Sequence, residues 1–466
     1  MHELKRVIGE IPTITGLDEG KSARLVSLKL DVLINLSIVC YPDYLLDCAR
    51  NGVWTLHDGE NRFVANSPIG YRELLTGDSI LTCAIEVARH GPVSQIPVRS
   101  VMAADPYSIS RNQGHLFWKA SVLMPQALKR LAMFGEHEFF AHAETVTKTG
   151  MPSPLTTSQS IQLSRLQIKN KLNKETRKLF DSDQWGLMVR SGGVTTPLRW
   201  EEFKRLIPPQ DRLWADPFLV EREGRAYIFF EELTYKTRRG HINCMEIDRD
   251  GRMVSNQTVL MRPYHLSYPF IFRDRGEWYM LPETADNRTI ETYRCTRFPD
   301  QWEFHKILMS DVCAVDTTLL EHAGRWWMLA NIAEHGNSRW DALHLFYADN
   351  PLSDHWTPHP RNPIISDVHT ARPAGGLFRR DGNLFRPSQD CSRRYGYALN
   401  INRVTTLNTT DYAEVLEDRL EPPIDSDIVA THTINFISTW TAIDTNIHGK
   451  DKKFRRLLRR AAPSSQ

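Results

Sequence analysis

Apolar residues in the second half of the chain fall into short runs split by a charged turn, and the runs return at a regular spacing. "DPFLVEREGRAYIFFEE" begins at Asp216, "YPFIFRDRGEWYMLPE" at Tyr268, "DTTLLEHAGRWWMLAN" at Asp316 and "AGGLFRRDGNLFRPSQ" at Ala374. A glycine stands eight residues after the first letter of each, at Gly224, Gly276, Gly324 and Gly382. Each copy predicts a β-hairpin with its tip at that glycine. The copies recur every 48 to 58 residues, which leaves room for two further strands apiece. Four strands per unit at a period of about 50 residues is the pattern of a β-propeller blade.

Within the third copy, Trp326 and Trp327 are adjacent. Neighbouring side chains of a strand point to opposite faces, so both faces of this strand need apolar cover. Blades stacked on either side supply it. Later strands repeat as well, around Trp302 and Trp356, and ten of the twelve tryptophans follow residue 183, where the sheet-on-sheet packing is expected. "THTINFISTW" at Thr431 completes a fifth blade, closed by the strand that begins near Gln184.

The earlier part of the chain has another texture. "LDVLINLS" reads as a strand, "PDYLLDCARNG" as a short helix ending in glycine, and "VWTLHDGENRFVANSPIGYRELLTGD" as a strand and loop leading to a helix, before "LTCAIEVARHGPV", a strand running to a turn. A polar Ser/Thr/Pro linker, Thr147 to Ser160, precedes a basic helix with apolar positions Leu166, Leu172 and Leu179. The expected organisation is an N-terminal segment over 1–24, an α/β domain over 25–142, linker and helix over 143–182, a propeller over 183–445 and a basic tail over 446–466. In that tail, Phe454, Leu457 and Leu458 have helical spacing.

Charge and composition exclude several classes. The formal net charge is +2, but Lys450 to Arg460 alone carries +6, which leaves −4 on the rest. Such a body does not wrap nucleic acid. No run approaches the roughly 18 to 20 apolar residues of a membrane span, and the opening residues lack the apolar core of a secretory signal, so a cytoplasmic location is expected. The seven cysteines are scattered without C-x-x-C spacing, so neither a disulfide framework, a metal site nor a cofactor is read from them.

The strings "LWADPFLV", "HLSYPFIF", "WYMLPET", "VDTTLLEHAGRWWML", "ARPAGGLF", "LFRPSQDCSRRYGYAL" and "DYAEV" together resemble the N-terminal propeller of plant glucosamine inositolphosphorylceramide transferases and bacterial relatives. More remotely the blades resemble five-bladed glycoside hydrolases of the arabinanase and β-xylosidase type. That resemblance implies an Asp opening the first blade as general base, matched by Asp216, and an Asp opening the third that tunes pKa, matched by Asp316. It also implies a Glu opening the fourth as general acid, where this chain has Arg372 and Ala374. Glycoside hydrolysis needs a protonated carboxyl beside an ionised one, so a replacement acid is required. Seven residues past the hairpin glycines stand Glu231, Glu283, Asn331 and Gln389, which an antiparallel return brings back to the end where Asp216 and Asp316 begin. Glu283 is the candidate acid. Arg372, Arg386, Gln389, Asp390 and Tyr395 form a candidate contact surface for a sugar, joined by Tyr268, His265 and His432 near blade openings.

The first domain resembles the catalytic half of folate-dependent formyltransferases, a family in which Asn, His and Asp polarise the formyl donor and move a proton. His57 matches the histidine, but Thr55 stands at the Asn position and Arg89 at the Asp position. Thr offers no amide N–H to an oxyanion, so the resemblance implies a degenerate module. The expectation is a mainly β protein, a five-bladed propeller with a small formyltransferase-like α/β domain, that recognises a sugar or glycoconjugate. The alternatives are an inverting glycoside hydrolase using Asp216 and Glu283, and a non-catalytic scaffold for a separate glycosyltransferase.

Overall fold

At the tips of the four hairpins, Glu223-Gly224, Arg275-Gly276, Ala323-Gly324 and Asp381-Gly382, both residues have positive φ, between 46° and 89°. Two consecutive left-handed residues make a type I′ turn, whose twist matches that of the strands it joins. Glycine takes the second position because a side chain there is strained. This local rule explains the fixed glycine offset.

The computed structural model describes residues 25–36, 41–58, 69–91, 93–147, 155–180, 183–193, 197–334 and 337–448, without the side chains of 173–180. The N-terminal segment 1–24, much of the Ser/Thr/Pro linker, the Leu179 side chain and the basic tail with Phe454, Leu457 and Leu458 lie outside the described residues. The described residues are mainly β, and no helix among them is long and apolar enough to cross a membrane.

Five sheets follow one another as blades. The first holds Arg212–Arg222, Arg225–Thr234, Gly240–Ile247 and Met253–Leu260 in sequential antiparallel order. The second runs from Ser267–Asp274 to Gln301–Ser310, the third from Ala314–His322 to Thr357–Pro358, and the fourth from Arg372–Pro373 to Tyr412–Leu420. In the fifth, Trp440–His448 pairs antiparallel with the earlier strand Asp183–Ser191, from Trp440 opposite Ser191 to His448 opposite Asp183. The two ends of the propeller thus share one sheet, as expected from the sequence, and neither is left as an open edge.

Between neighbouring blades lies the core. Trp326, Met328, Ala330 and Ile332 face a cluster with Phe272 and Tyr279 of the second blade. Trp327 and Leu329 face the opposite way, against Leu377, Leu407 and Tyr412 of the fourth. Alternation along one strand therefore feeds two interfaces, and each fully buried large side chain contributes about 2–3 kcal/mol to holding adjacent blades together.

The described residues form two compact units, one within 1–69, 82–99 and 123–155, the other within 70–81, 100–122 and 156–466. The second contains the propeller. It also takes 70–81 and 100–122, which the sequence reading placed in a first domain over 25–142. In the first unit, Leu33–Asn35 lies parallel to Val53–His57, which pairs antiparallel with the strand Ile80–Ala88. Thr55 and His57, two residues apart on one strand, are both buried. Trp54, on the other face, stacks on Phe139 at 5.3 Å. Arg89 donates to Glu136 at 2.9 Å and to Asn51 at 3.4 Å, so the position the resemblance reserves for a carboxylate holds a cation engaged by a carboxylate.

Candidate functional site

Three blades open on the same irregularity. The ladder slips between Ala215 and Phe218, between Ser267 and Phe270, and between Val315 and Thr318. The residues in those gaps, Asp216, Tyr268 and Asp316, have φ of 53°, 43° and 53°. A bulge of this kind re-aims a side chain out of its ladder, and here the three meet partners from other blades. On the return strands, Glu231, Glu283, Asn331 and Gln389 stand opposite Ala215, Ser267, Val315 and Arg372. The antiparallel return read from the sequence thus holds in all four blades.

Asp216, on the first blade, is held by the second and the fifth. Its Oδ1 accepts from Thr433 Oγ1 at 2.7 Å, and its Oδ2 from the Tyr268 backbone N–H at 3.1 Å. Its own N–H donates to Asp444 Oδ2 at 3.0 Å. His432 lies between the two carboxylates, Nδ1 2.7 Å from Asp444 and Nε2 3.4 Å from Asp216. Burial disfavours the charged imidazole, but Asp444 and Asp216 outweigh it and raise the His432 pKa. Burial pushes Asp216 up to about 6 against the pull of His432. One ligand atom from each of Asp216, His432 and Asp444 lies within 4.8 Å of the others, a spacing that a cation could use. Every carboxylate oxygen of the two aspartates already accepts a hydrogen bond from the described residues.

Asp316 has a different environment. Arg372 bonds both of its oxygens, one of them through a short Nε contact, and Gln389 Nε2 donates to it at 2.9 Å. Tyr268 Oη is 2.9 Å from Thr318 Oγ1 and accepts from the Gly375 N–H at 2.7 Å. At Gly375 a Cβ would fall 2.0 Å from the Ile434 carbonyl, so only glycine lets the fourth blade meet the fifth here.

Two carboxyls remain. His265 accepts from the Gly240 N–H on Nδ1 at 3.0 Å, so its proton sits on Nε2, 3.3 Å from Glu231. Burial, then the charges of Asp216 and Glu283, hold Glu231 well above the carboxylate range. Glu283 makes no hydrogen bond or ion pair with the described residues. Burial, then the Asp316 charge, pushes it up to about 8. Between the ordinary 4.5 and about 8, folded Glu283 keeps a proton that the unfolded chain has released, so its contribution to stability falls as pH rises through that window. Glu283→Gln is therefore expected to flatten the pH dependence of stability, measured by denaturant titration between about pH 5 and about pH 8. A wild-type slope in the variant would show that Glu283 ionises normally.

Two of the expected contact residues are occupied elsewhere. Arg386 is buried and donates to both oxygens of Glu414, at 2.7 and 2.6 Å. Asp390 is buried against Arg419 at 2.5 Å. With Gln389 committed to Asp316, the sugar-contact surface expected from Arg372, Arg386, Gln389, Asp390 and Tyr395 is not formed as one surface. Their side chains alternate between an axial and an inter-strand direction, and the inter-strand ones are neutralised by the outer strand Tyr412–Leu420.

Tyr395 is the exception. Its ring covers the Arg372 guanidinium at 4.8 Å and stands 5.1 Å from His432, 5.9 Å from Trp340 and 6.3 Å from Trp185. The half-buried rings of Trp185, Trp340 and Tyr395 line a cleft of about 960 Å³ that also takes in Tyr107, Asn170, Asn337, Ser338 and Arg339. Asp216, Asp316, Glu231, Glu283 and Arg372 are not among its lining residues. Asn331, fully buried, satisfies both ends of its amide when its nitrogen points to the Arg339 and Ala342 carbonyls, which braces the loop that carries Trp340.

Residues 208–423 match the family described as glucosamine inositolphosphorylceramide transferase 1, N-terminal. The match covers less than half of the 466 residues. Proteins named glucosamine inositolphosphorylceramide transferase 1 from Oryza sativa subsp. japonica and Arabidopsis thaliana are 35% identical over 205 residues and 33% identical over 207. The alignments cover 43% of this chain but 27% and 26% of the relatives, so the chain spans about a quarter of their length. Among solved structures, a family 117 glycoside hydrolase from Zobellia galactanivorans is similar at 11% identity and a TM-score of 0.38, covering 61% of this chain and 99% of that one. An α-L-arabinofuranosidase from Lactobacillus brevis is similar at 14% identity and a TM-score of 0.37, covering 50% and 81%. Within the matched segment lie Asp216, Asp316, Glu283, Trp340 and Tyr395, whereas Trp185, His432 and Asp444 come from the fifth blade outside it.

Proposed function

We propose that the chain recognises a carbohydrate or glycoconjugate in the cleft floored by Trp185, Trp340 and Tyr395. The observation that carries this reading is the aromatic floor itself. Sugar rings present flat C–H faces that pack on aromatic rings, while their hydroxyls need polar groups at the rim, here Asn170, Asn337 and Ser338. The relatives' name refers to glucosamine and to inositolphosphorylceramide, and the segment shared with them supports a glycoconjugate as the ligand. A glycan-array screen of the whole chain tests the reading. Saturable binding to a restricted set of glycans is expected, and binding to none contradicts it.

One observation favours a second reading. Glu283 is a carboxyl without a partner whose raised pKa keeps it protonated near neutral pH, the state a general acid needs. Inverting hydrolysis would pair it with Asp216, whose oxygens are already engaged by Thr433 and Tyr268. Release of reducing sugar from the bound glycan, abolished in Glu283→Gln, supports hydrolysis, and a ligand that stays intact rules it out. The α/β unit, with Thr55 and Arg89 at the positions of the missing groups, is taken as non-catalytic.

A further inference from the structure

The charges around the cleft do not cancel. Three acidic residues line it, and each has a partner. Asp105 accepts from Arg111 at 2.8 Å, Asp183 lies 2.8 Å from His448 Nδ1, and Asp341 is paired with the buried Lys119 at 2.7 Å. Of the four arginines on the lining, Arg111 is bound to Asp105 and Arg393 donates to Tyr397 Oη at 2.9 Å. Arg339 and Arg394 have no hydrogen bond or ion pair among the described residues, and both are exposed. They flank rings that suit a sugar, since Arg339 adjoins Trp340 and Arg394 adjoins Tyr395 in sequence.

A neutral glycan needs donors and acceptors in roughly equal measure. Three guanidinium groups lack a counter-ion among the described residues, Arg393 meeting only a neutral hydroxyl and Arg339 and Arg394 no partner, and they favour a ligand that brings negative charge, because a planar fork of N–H donors matches the oxygens of a phosphate or carboxylate. The aromatic floor sets where the sugar ring lies, and the arginines set where its charged substituent lies.

We propose that the cleft selects an anionic sugar, one that carries a phosphate or a carboxylate, with its ring on Trp340 and Tyr395 and its charge between Arg339 and Arg394. This rests on the cleft being a glycan site. It adds the chemical class of the ligand, and it assigns a binding role to two arginines outside the axial cluster.

Calorimetric titration of the whole chain with glucose 6-phosphate, glucuronate, glucose and inorganic phosphate tests it. At least one anionic sugar is expected to bind about tenfold or more tighter than glucose, as charge-assisted hydrogen bonds allow. The double variant Arg339→Gln, Arg394→Gln is expected to lose that preference. The better of the two anionic sugars identifies phosphate or carboxylate as the source of the charge. Equal affinity for glucose and both anionic sugars, unchanged in the double variant, overturns the proposal and leaves the glycan reading standing. Inorganic phosphate binding as tightly as glucose 6-phosphate overturns it too, because the site would then read only the anion. Absence of binding by all three sugars overturns the proposal, whereas the glycan reading fails only where the glycan array shows no ligand.

Discussion

Asp316→Ala is expected to lower the free energy of unfolding by about 3–5 kcal/mol, the usual cost of leaving one member of a buried ion pair without its partner. Arg372 and Asp316 are 7% and 2% exposed as side chains, so water does not replace the lost carboxylate. Gln389 loses an acceptor at the same time, though its nitrogen keeps the Pro373 carbonyl at 2.8 Å. Denaturant titration of Asp316→Ala checks the magnitude. The cause is checked by adding Arg372→Met, which removes the orphaned charge. The double variant should recover much of the loss, and a single-variant loss below about 1 kcal/mol would mean that solvent reaches the pair.

The second large effect concerns binding. Tyr395→Ala is expected to weaken the glycan by about 30-fold, some 2 kcal/mol, because it deletes the ring on which Trp185, Trp340 and Arg372 converge. Tyr395→Phe keeps the ring and should stay within about threefold of wild type. Thermal unfolding of both variants separates a lost contact from a lost fold. An alanine variant that is folded and binds like wild type would remove Tyr395 from the floor.

The propeller was legible because its information is local. Each hairpin needs two left-handed residues, so a glycine must recur, and the strand on either side fixes an eight-residue offset to the bulge that carries Asp216, Tyr268 or Asp316. The places of Glu231 and Glu283 followed from antiparallel geometry alone. Arg386 and Asp390 were misplaced because their partners, Glu414 and Arg419, stand 28 and 29 residues away on an outer strand. Nothing in a single sequence announces such a pairing. Asp444, Trp185, Trp340 and Arg339 carry no signal for the same reason, since they acquire meaning only when the fifth blade closes and Trp340 and Arg339 reach the cleft that Trp185 lines. Nothing in the sequence around Lys119 signals its pairing with Asp341, 222 residues later.

The most direct measurement is a crystal structure of the whole chain with the tightest-binding glycan. The account predicts density for a sugar ring against Trp340 and Tyr395, within the cleft that Trp185 and Arg339 also line. A glycan bound with equal occupancy elsewhere on the chain, and a cleft holding only solvent, would contradict it.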